Sequence, residues 1–230
     1  MKKIVVFTGS GISAESGIAT FRDTGGLWAN YKIEDVCTPE ALIKNRPQVI
    51  DFYNQRRKEV LEKKPNKAHL ALKKLEDYFD VEIITQNIDD LHERAGSSKV
   101  THLHGEILKL CSSIDVSKTV KMSTWEQNID SRHEDGSLLR PFVVFFGEQV
   151  PMLETAIQIT RTSDIFIVVG TSLNVYPAAS LLYYLDTNIP IYVVDPHIPE
   201  VRCKNKMYFF EEAASTGVEK VVEELIKNNQ

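Results

Sequence analysis

The stretch FTGSGISAESGIATFRDTGGLW, residues 7–28, decides the fold of this chain. It overlaps the apolar run IVVF at 4–7, and Gly9, Gly11 and Ala14 give it the pattern G-x-G-x-x-A. Between a strand and a helix, this pattern is typical of a dinucleotide-phosphate site, because glycine lets the backbone approach the phosphates and the helix start offers N–H groups. A glycine-rich turn that binds no ligand is the alternative interpretation.

Apolar runs alternate with amphipathic stretches along the rest of the chain. The runs are rich in Val, Ile and Phe and nearly continuous, which favours strands covered on both faces in a parallel sheet. The sequence therefore predicts an α/β fold, a Rossmann-like doubly wound parallel sheet with a small second module. Strands are expected at 4–9, 81–86, 164–172 and 189–195, and more weakly at 99–105 and 142–147. Helices are expected at 11–18, 47–63, 66–78, 150–161, 177–186 and 215–228.

Two insertions that break this alternation are assigned to the small module. Residues 31–78 carry loop and helical patterns where a second strand would come, and residues 107–138 are polar with little periodicity. The Rossmann-like domain then consists of residues 1–30, 79–106 and 139–230.

Composition limits the class of protein. A net charge of −5 over 230 residues predicts neither a nucleic-acid groove nor a membrane patch. Three cysteines, odd in number and far apart, argue against a disulfide framework and favour a reducing, cytoplasmic location. The run of four apolar residues after MKK is too short for a signal peptide and is expected to be a strand.

Further polar side chains follow the predicted strands, at the edge where a doubly wound sheet binds its ligands. Each has an ordinary structural alternative: a turn for the Asn- and Asp-rich segment, a structural histidine, and a turn or helix cap for the aspartate beside Pro196. These candidates are Gln86, Asn87, Asp89, Asp90, His104, Asp195 and the segment 168–172.

Six stretches form one ordered set: GSGISAESGIATFR, TQNIDDLHERAG, LHGE, LRPFVVFFGE, GTSLNVYPAASL and VVDP. Together they resemble the sirtuin family of NAD-dependent protein-lysine deacylases, in the family's order and approximate spacing over nearly the whole chain. The resemblance implies an enzyme that uses NAD, releases nicotinamide and transfers the acyl group of a lysine to ADP-ribose. It implies acyl-lysine proteins or peptides as partners; we expect no nucleic acid and no membrane, and we favour a monomer.

The resemblance also implies roles for individual residues. His104 would be the general base, since imidazole titrates near neutral pH, whereas His102 should point to the opposite face of its strand and have a structural role. Asn87 and Asp89 would complete the catalytic set beside the nicotinamide and the reacting carbon. The cofactor-binding residues implied are Gly9, Ser10, Gly11, Ser13, Glu15, Phe21, Arg22, Gln86, Gly170, Thr171, Ser172, Asp195 and Ala213.

The acyl group is predicted from a Tyr-x-x-Arg pair. Val144, Phe146 and Gly147 would line the acyl-lysine tunnel. Tyr53 and Arg56 are neighbours on one helix face and resemble the pair with which class III sirtuins bind malonyl- or succinyl-lysine.

Two points about this pair stay open. A solvated basic face is the alternative interpretation, and Arg57 at i+4 could serve instead of Arg56. Cys37 stands where class III members usually carry alanine. Cysteine is small and therefore compatible with a roomy pocket, and an ordinary buried cysteine is the alternative.

The chain departs from the family in its zinc site. The insertion keeps Cys111 but lacks the two Cys-x-x-Cys pairs, and neither Asp115, His133 nor Glu134 completes a zinc spacing. We therefore expect no zinc and a module held by packing, with six candidate apolar residues: Ile114, Val116, Val120, Met122, Trp125 and Ile129. Asp195 also replaces the family's usual asparagine.

Two other functions remain alternatives on the same fold. One is a protein mono-ADP-ribosyltransferase or NAD hydrolase, against which the intact His104 counts. The other is a non-catalytic NAD-binding sensor, for which the lost zinc ligands would fit a decaying module.

Overall fold

The computed structural model describes residues 1–20, 31–199 and 203–229. Its strands are β1 (Lys3–Thr8), β2 (Asp80–Thr85), β3 (Val100–His102), β4 (Gly105–Ser112), β5 (Thr119–Lys121), β6 (Leu139–Val143), β7 (Ile165–Val169), β8 (Ile191–Val194) and β9 (Met207–Phe210). Its α-helices are α1 (Gly11–Ala14), α2 (Ile33–Val36), α3 (Pro39–Lys44), α4 (Arg46–Glu62), α5 (Lys67–Leu75), α6 (Leu91–Arg94), α7 (Leu153–Arg161) and α8 (Ala214–Asn229). A 3-10 helix occupies Ala178–Tyr184.

Six strands form a parallel sheet in the order β3-β2-β1-β7-β8-β9. Along β1, Ile4 and Val6 belong to one core, whereas Val5 and Phe7 belong to another. Successive residues of a strand point to opposite faces, so an unbroken apolar run fills a core on each side of the sheet. Helices cover both faces, and the predicted Rossmann-like doubly wound fold is confirmed.

The strand order creates a crevice at one edge of the sheet. From β1 the chain runs to β2 on one side and later to β7 on the other. The carboxyl ends of these three neighbours meet where the order reverses, which is where ligands bind in sheets of this type.

A second sheet, of order β5-β4-β6, is antiparallel. A separate small core lies nearby, where Phe52 and Tyr53 of α4 pack with Val36 and Phe145. Two segments pack differently from the domain predicted for them. Helix α5 contributes Leu72 to the core of the large sheet, and β6 pairs with β4 in the small one.

Several predicted boundaries shift. The α-helix expected at 11–18 ends at Ala14, and the helix expected at 177–186 is a 3-10 helix. The strand expected at 142–147 spans Leu139–Val143, while β4, β5 and β9 were missed. Of these, β5 has three exposed residues and β9 is only partly buried, so neither carries the apolar run of a central strand.

No helix in the described ranges has the length and apolar character needed to span a bilayer.

Polar contacts join the insertion at 107–138 to α4. The Arg57 guanidinium donates to the carbonyl oxygens of Ile107, at 2.9 Å, and Trp125, at 2.8 Å. Asn54 exchanges two hydrogen bonds with the backbone of Gln127, and Arg46 donates to the Ile129 and Leu139 carbonyls. The expectation that apolar packing alone holds this segment is wrong: four of its candidates, Ile114, Val116, Val120 and Trp125, are exposed.

Candidate functional site

A cavity of about 400 Å³ opens at the carboxyl edge of the parallel sheet and extends toward the small module. The loops after β1, β2 and β7 form one wall, and α4 with the segment after β6 forms the other. Most of the predicted site residues line it: Gly9, Ser10, Ser13, Cys37, Tyr53, Arg56, Gln86, Asn87, Asp89, His104, Val144, Phe146, Gly147, Gly170, Thr171 and Ser172.

The glycine turn after β1 crosses the end of β7 at close range. The Gly9 amide donates to the Val169 carbonyl at 3.0 Å, and the Gly11 amide donates to the Gly170 carbonyl at 2.9 Å. A Cβ on Gly11 would lie 2.6 Å from the Gly170 Cα, and one on Gly9 would lie 2.7 Å from the Gly170 oxygen. These contacts exclude any side chain at either position, so the loop crossing itself requires glycine.

Ser13, Asn87 and Asp89 form one hydrogen-bonded group. The side-chain amide of Asn87 donates to Ser13 Oγ at 3.2 Å, and Ser13 Oγ donates to Asp89 Oδ2 at 3.1 Å. The other carboxylate oxygen accepts from the Leu91 amide at 3.1 Å. Burial raises the pKa of Asp89, although the hydrogen bonds from Leu91 and Ser13 act in the opposite direction. The three side chains are buried and hold one another in place.

Hydrogen bonds at the ends of β1 and β2 hold the backbone of Asn87 in place. The backbone N–H of Asn87 donates to Thr85 Oγ1 at 3.0 Å, and Thr8 Oγ1 donates to the same oxygen at 2.8 Å. His92 Nε2 lies 3.1 Å from Thr8 Oγ1. The backbone that carries the predicted catalytic residues is therefore attached to the carboxyl ends of β1 and β2.

His104 lies on the cavity wall with one ring nitrogen engaged. Its Nδ1 lies 3.0 Å from the Gln86 carbonyl oxygen, and since a carbonyl can only accept, Nδ1 carries the proton. In the neutral ring Nε2 then has the lone pair. Burial lowers the pKa of His104, and the Gln86 carbonyl partly offsets this. The ring is thus a neutral acceptor at neutral pH.

His102 differs from His104 in the partner of its second ring nitrogen. Its Nδ1 lies 2.8 Å from the Asn87 carbonyl, and its Nε2 lies 2.7 Å from Glu93 Oε1. Burial opposes its charged form, but the hydrogen bond and charge of Glu93 raise the pKa of His102 above its usual value. Both nitrogens donate, which agrees with the structural role predicted for it.

Two strand-end loops meet across the cavity. Gln86 Nε2 donates to Thr171 Oγ1 at 2.9 Å, so the loop after β2 is tied to the loop after β7. The backbone next to this contact is unusual, because Leu173 has a φ of 54° and its amide donates to Thr171 Oγ1 at 3.2 Å.

Four predicted cofactor residues are not part of the cavity lining. Glu15 accepts from the Ser215 amide at the start of α8, at 2.7 Å. Asp195 Oδ1 accepts from the His197 amide at 2.8 Å, which is the turn contact considered as its alternative. Ala213 is exposed, and Gly11 makes the crossing with Gly170. Phe21 and Arg22 lie outside the described residues.

The far end of the cavity carries the Tyr-x-x-Arg pair. Tyr53 stacks on Phe145 with ring centroids 5.9 Å apart, and its hydroxyl lies 3.5 Å from Cys37 Sγ. Burial raises the pKa of both groups, to about 11 for Cys37, so both are neutral at physiological pH. Arg56 also lines this end, whereas Arg57 is bonded to the insertion. Of the two arginines that the sequence left open, Arg56 is the one that lines the cavity.

The sequence did not reveal an ion pair in the cavity wall near Phe145. Arg140 binds Glu148 bidentately, at 2.5 and 2.9 Å, and its guanidinium lies 4.1 Å from the centre of the Phe145 ring. Glu148 Oε2 also accepts from the Phe145 amide at 2.7 Å. Eight residues separate the partners, so no helical or strand periodicity indicated the pair. Other lining residues that were missed include Ile18, Ile33, Phe52, Val60, Val143, Val150, Val175 and Tyr176.

The insertion at 107–138 holds no cluster of metal ligands. Within the described ranges, no three His, Cys, Asp or Glu side chains converge in a way that could hold a metal ion. Cys111 is buried in β4, Asp115 accepts from Ser117, and His133 lies 3.3 Å from Asp135.

Comparison with known proteins agrees with this geometry. Residues 9–177 match the Sir2 family. A Bacteroides thetaiotaomicron protein named NAD-dependent protein deacylase is 49% identical over 231 residues, which covers 98% of this chain and 99% of that protein. A Sir2 homologue solved with NAD has a TM-score of 0.89 at 36% identity, covering 100% of this chain and 91% of that one.

A Sir2 variant solved with a deacetylated p53 peptide and 3'-O-acetyl ADP-ribose has a TM-score of 0.77 at 31% identity, with 96% and 92% of the two chains covered. The match in sequence extends over most of the length, and the match in structure includes both sheets. The chain therefore belongs to the Sir2 family, the sirtuins, which its six motifs resemble.

Proposed function

We propose that this protein is an NAD-dependent protein-lysine deacylase. The observation that carries the proposal is the neutral His104, held by the Gln86 carbonyl on the wall of a cavity that also contains Asn87 and Asp89. An acceptor imidazole suits a general base for a ribose hydroxyl. The related Bacteroides protein carries the same activity in its name.

The cavity edge has the donors that a dinucleotide needs. Gly9 and Ser10 line the cavity in a turn that has no room for a Cβ at Gly9 or Gly11. Gln86 and Thr171 present amide and hydroxyl groups beside it. We propose that this edge holds the phosphates and riboses of NAD, and that Asn87 holds the nicotinamide amide with its own carboxamide. When bound, NAD supplies the ribose carbon that accepts the acyl oxygen as nicotinamide leaves.

The protein's own groups have separate tasks in this reaction. Asp89 and Ser13 orient Asn87 through their hydrogen bonds. His104 takes the proton of a ribose hydroxyl at Nε2 while Nδ1 keeps its bond to Gln86. The tunnel wall around Phe145 excludes water from the acyl group and aligns the lysine.

The acyl end favours an acidic acyl group. Arg56 and Tyr53 lie together on α4, lining the end of the cavity beyond the reacting groups. A guanidinium binds a carboxylate as a fork, and a tyrosine hydroxyl that stays protonated adds a donor. We propose malonyl- or succinyl-lysine as the preferred substrate class, with acetyl-lysine as a weaker one.

The central experiment measures nicotinamide release and acyl-ADP-ribose formation from a panel of acyl-lysine peptides with NAD. We expect both products in equal amounts, and a loss of at least about 100-fold for His104→Ala, since a general base contributes that much. Labelling of protein by ADP-ribose would favour the transferase, nicotinamide release without peptide would favour the hydrolase, and NAD binding with unchanged turnover in His104→Ala would favour the sensor.

The acyl preference has its own test. Arg56→Met should lower kcat/KM for a succinyl peptide by about 10- to 100-fold, because it removes a charge-assisted hydrogen bond. The same variant should change acetyl turnover by less than about threefold. A wild-type enzyme that clearly prefers the acetyl peptide would overturn the preference and leave the deacylase proposal intact.

Three remaining proposals concern the whole protein. We propose that it works without zinc, because one cysteine remains in the insertion. We propose acylated proteins or peptides as its partners and a monomer as its active form. We also propose a cytoplasmic location, which a reducing environment for three separate thiols supports.

A further inference from the structure

Arg56 already has a carboxylate partner within its own helix. Its Nη1 lies 3.0 Å from Glu59 Oε2, an ion pair at i and i+3 on α4. The Arg56 side chain is 7% exposed, and a guanidinium buried to that degree beside apolar groups is costly without an opposite charge. Glu59 supplies this charge.

The two partners of the pair face different surroundings. Arg56 lines the cavity, next to Phe52 and Val60, whereas Glu59 is not part of the lining and its side chain is 25% exposed. The cavity thus presents the cation to a ligand, and the counter-charge approaches from the solvent side of the helix.

The other ionisable groups around this end do not take the place of Glu59. Cys37 and Tyr53 are held neutral by burial, and both lie beside Arg56. Glu148, the nearby lining carboxylate, is bound bidentately by Arg140. Among the residues that the structure describes, Glu59 is therefore the carboxylate that a negatively charged acyl group would meet on Arg56.

We propose that Glu59 determines acyl selectivity by competing with the substrate carboxylate for Arg56. With a neutral acyl group the ion pair stays intact, so the buried cation does not penalise binding. With a malonyl or succinyl group, the acyl carboxylate must share Arg56 with Glu59 or displace it to solvent. This inference rests on the proposed preference for acidic acyl groups and adds the residue that limits it.

The substitution Glu59→Gln removes the competing charge and keeps the side-chain size. It should lower KM for a succinyl peptide by about threefold to tenfold, which corresponds to one partly exposed ion pair. KM for the acetyl peptide should change by less than about twofold, and kcat for either should stay close to that of the unsubstituted enzyme. Glu62→Gln, an exposed change of the same kind near the end of α4, is the matched control and should leave both values unchanged.

Because Glu59 acts through Arg56, the double variant Arg56→Met with Glu59→Gln should behave like Arg56→Met alone. Independent, additive effects of the two substitutions on succinyl KM would overturn the inference. So would equal shifts for the succinyl and acetyl peptides, since these would indicate a general change in the helix.

Direct binding separates this inference from the proposed function. Fluorescence anisotropy with labelled succinyl- and acetyl-lysine peptides needs no turnover, and Glu59→Gln should tighten binding of the succinyl peptide alone. Tighter binding without any nicotinamide release would support the role of Glu59 and refute the deacylase proposal. Unchanged succinyl binding in a variant that still turns over the peptide would refute the role of Glu59 and leave the deacylase proposal standing.

Discussion

His104 gains its chemistry from two neighbours that act in opposite directions. Removal from water disfavours the charged ring, and the Gln86 carbonyl favours a proton on Nδ1. Desolvation wins, so the pKa of His104 falls below the ordinary value of 6.5. His102, two residues earlier, has Glu93 at 2.7 Å and shifts the other way. The carboxylate of Glu93 is the main cause of the upward shift, and His104 has no such neighbour among the causes of its own shift.

The pH dependence of turnover follows from this shift. A base works when deprotonated, so kcat/KM for an acyl peptide should fall to half of its plateau value at a pH below 6.5. The measurement is the pH profile of kcat/KM at saturating NAD. A half-maximal point clearly above pH 7 would contradict the lowered pKa of His104.

The glycines of the first turn have a structural cause that the sequence did not show. The sequence indicated small residues for a phosphate, and Gly9 does line the cavity. Gly11, however, faces Gly170, and the backbone of that residue lies where a Cβ would go. The partner is 159 positions along the chain, and local pattern carries no information about it.

Helix α4 performs two tasks with adjacent arginines. Neighbouring residues on a helix point about 100° apart, so Arg56 and Arg57 leave the helix on different sides. Arg56 lines the cavity, and Arg57, which is fully buried, bonds to the backbone of the insertion. The helix thus links the cavity end lined by Arg56 to the insertion at 107–138.

Replacing Arg57 should weaken the contact between α4 and the insertion and destabilise the fold. Arg57→Met leaves the Ile107 and Trp125 carbonyls without their donor, and breaking a buried charged network typically costs about 3–5 kcal/mol. We expect a loss of about 3 kcal/mol in the free energy of unfolding, measured by urea denaturation. Lys58→Met, an exposed neighbour with the same loss of charge, should cost less than about 1 kcal/mol. Equal losses for the two variants would refute the link.

The strands show how far periodicity reaches. The central strands β1, β2, β7 and β8 were predicted because burial on both faces leaves a continuous apolar run. Strand β5 was missed because its three residues are exposed and its pairing with β4 alone makes it a strand. Edge strands depend on a partner that sequence pattern does not show.

At the scale of the whole molecule, two buried histidines make the stability of the fold sensitive to acid. Burial lowers the pKa of His69 to about 4 and that of His92 well below 6.5, and their rings lie 4.9 Å apart. In the unfolded chain these imidazoles take up protons near pH 6.5, and in the folded chain they do not. Their stabilising effect is therefore present above pH 6.5 and is lost as the pH falls toward 4. His102 acts oppositely, because its pKa is raised in the fold.

Unfolding experiments at two pH values should show this loss. When the pH falls from 7.5 to 5, the titration of His69 alone should lower the free energy of unfolding by about 2 kcal/mol. His69→Gln has no imidazole to protonate there, so its stability should fall by correspondingly less over the same interval. Parallel falls in both proteins would show that His69 does not titrate as the structure indicates.

Zinc independence is a second prediction for the whole molecule. The insertion is joined to α4 by hydrogen bonds from Arg46, Asn54 and Arg57, which do not involve a metal. Dialysis against a chelator should leave the thermal midpoint unchanged, since a bound metal would stabilise the fold by mass action. Elemental analysis that finds one zinc per chain would contradict this expectation.

The sequence by itself determined the family, the doubly wound sheet and the residues gathered at its carboxyl edge. These follow from local information: continuous apolar runs, and motifs whose members lie close together along the chain. The tertiary structure alone decided which arginine lines the cavity, why Gly11 must be glycine, and that Glu15 and Asp195 bond to Ser215 and His197. Those outcomes depend mainly on contacts between residues far apart in the sequence, and such contacts exist only once the two sheets have formed and packed.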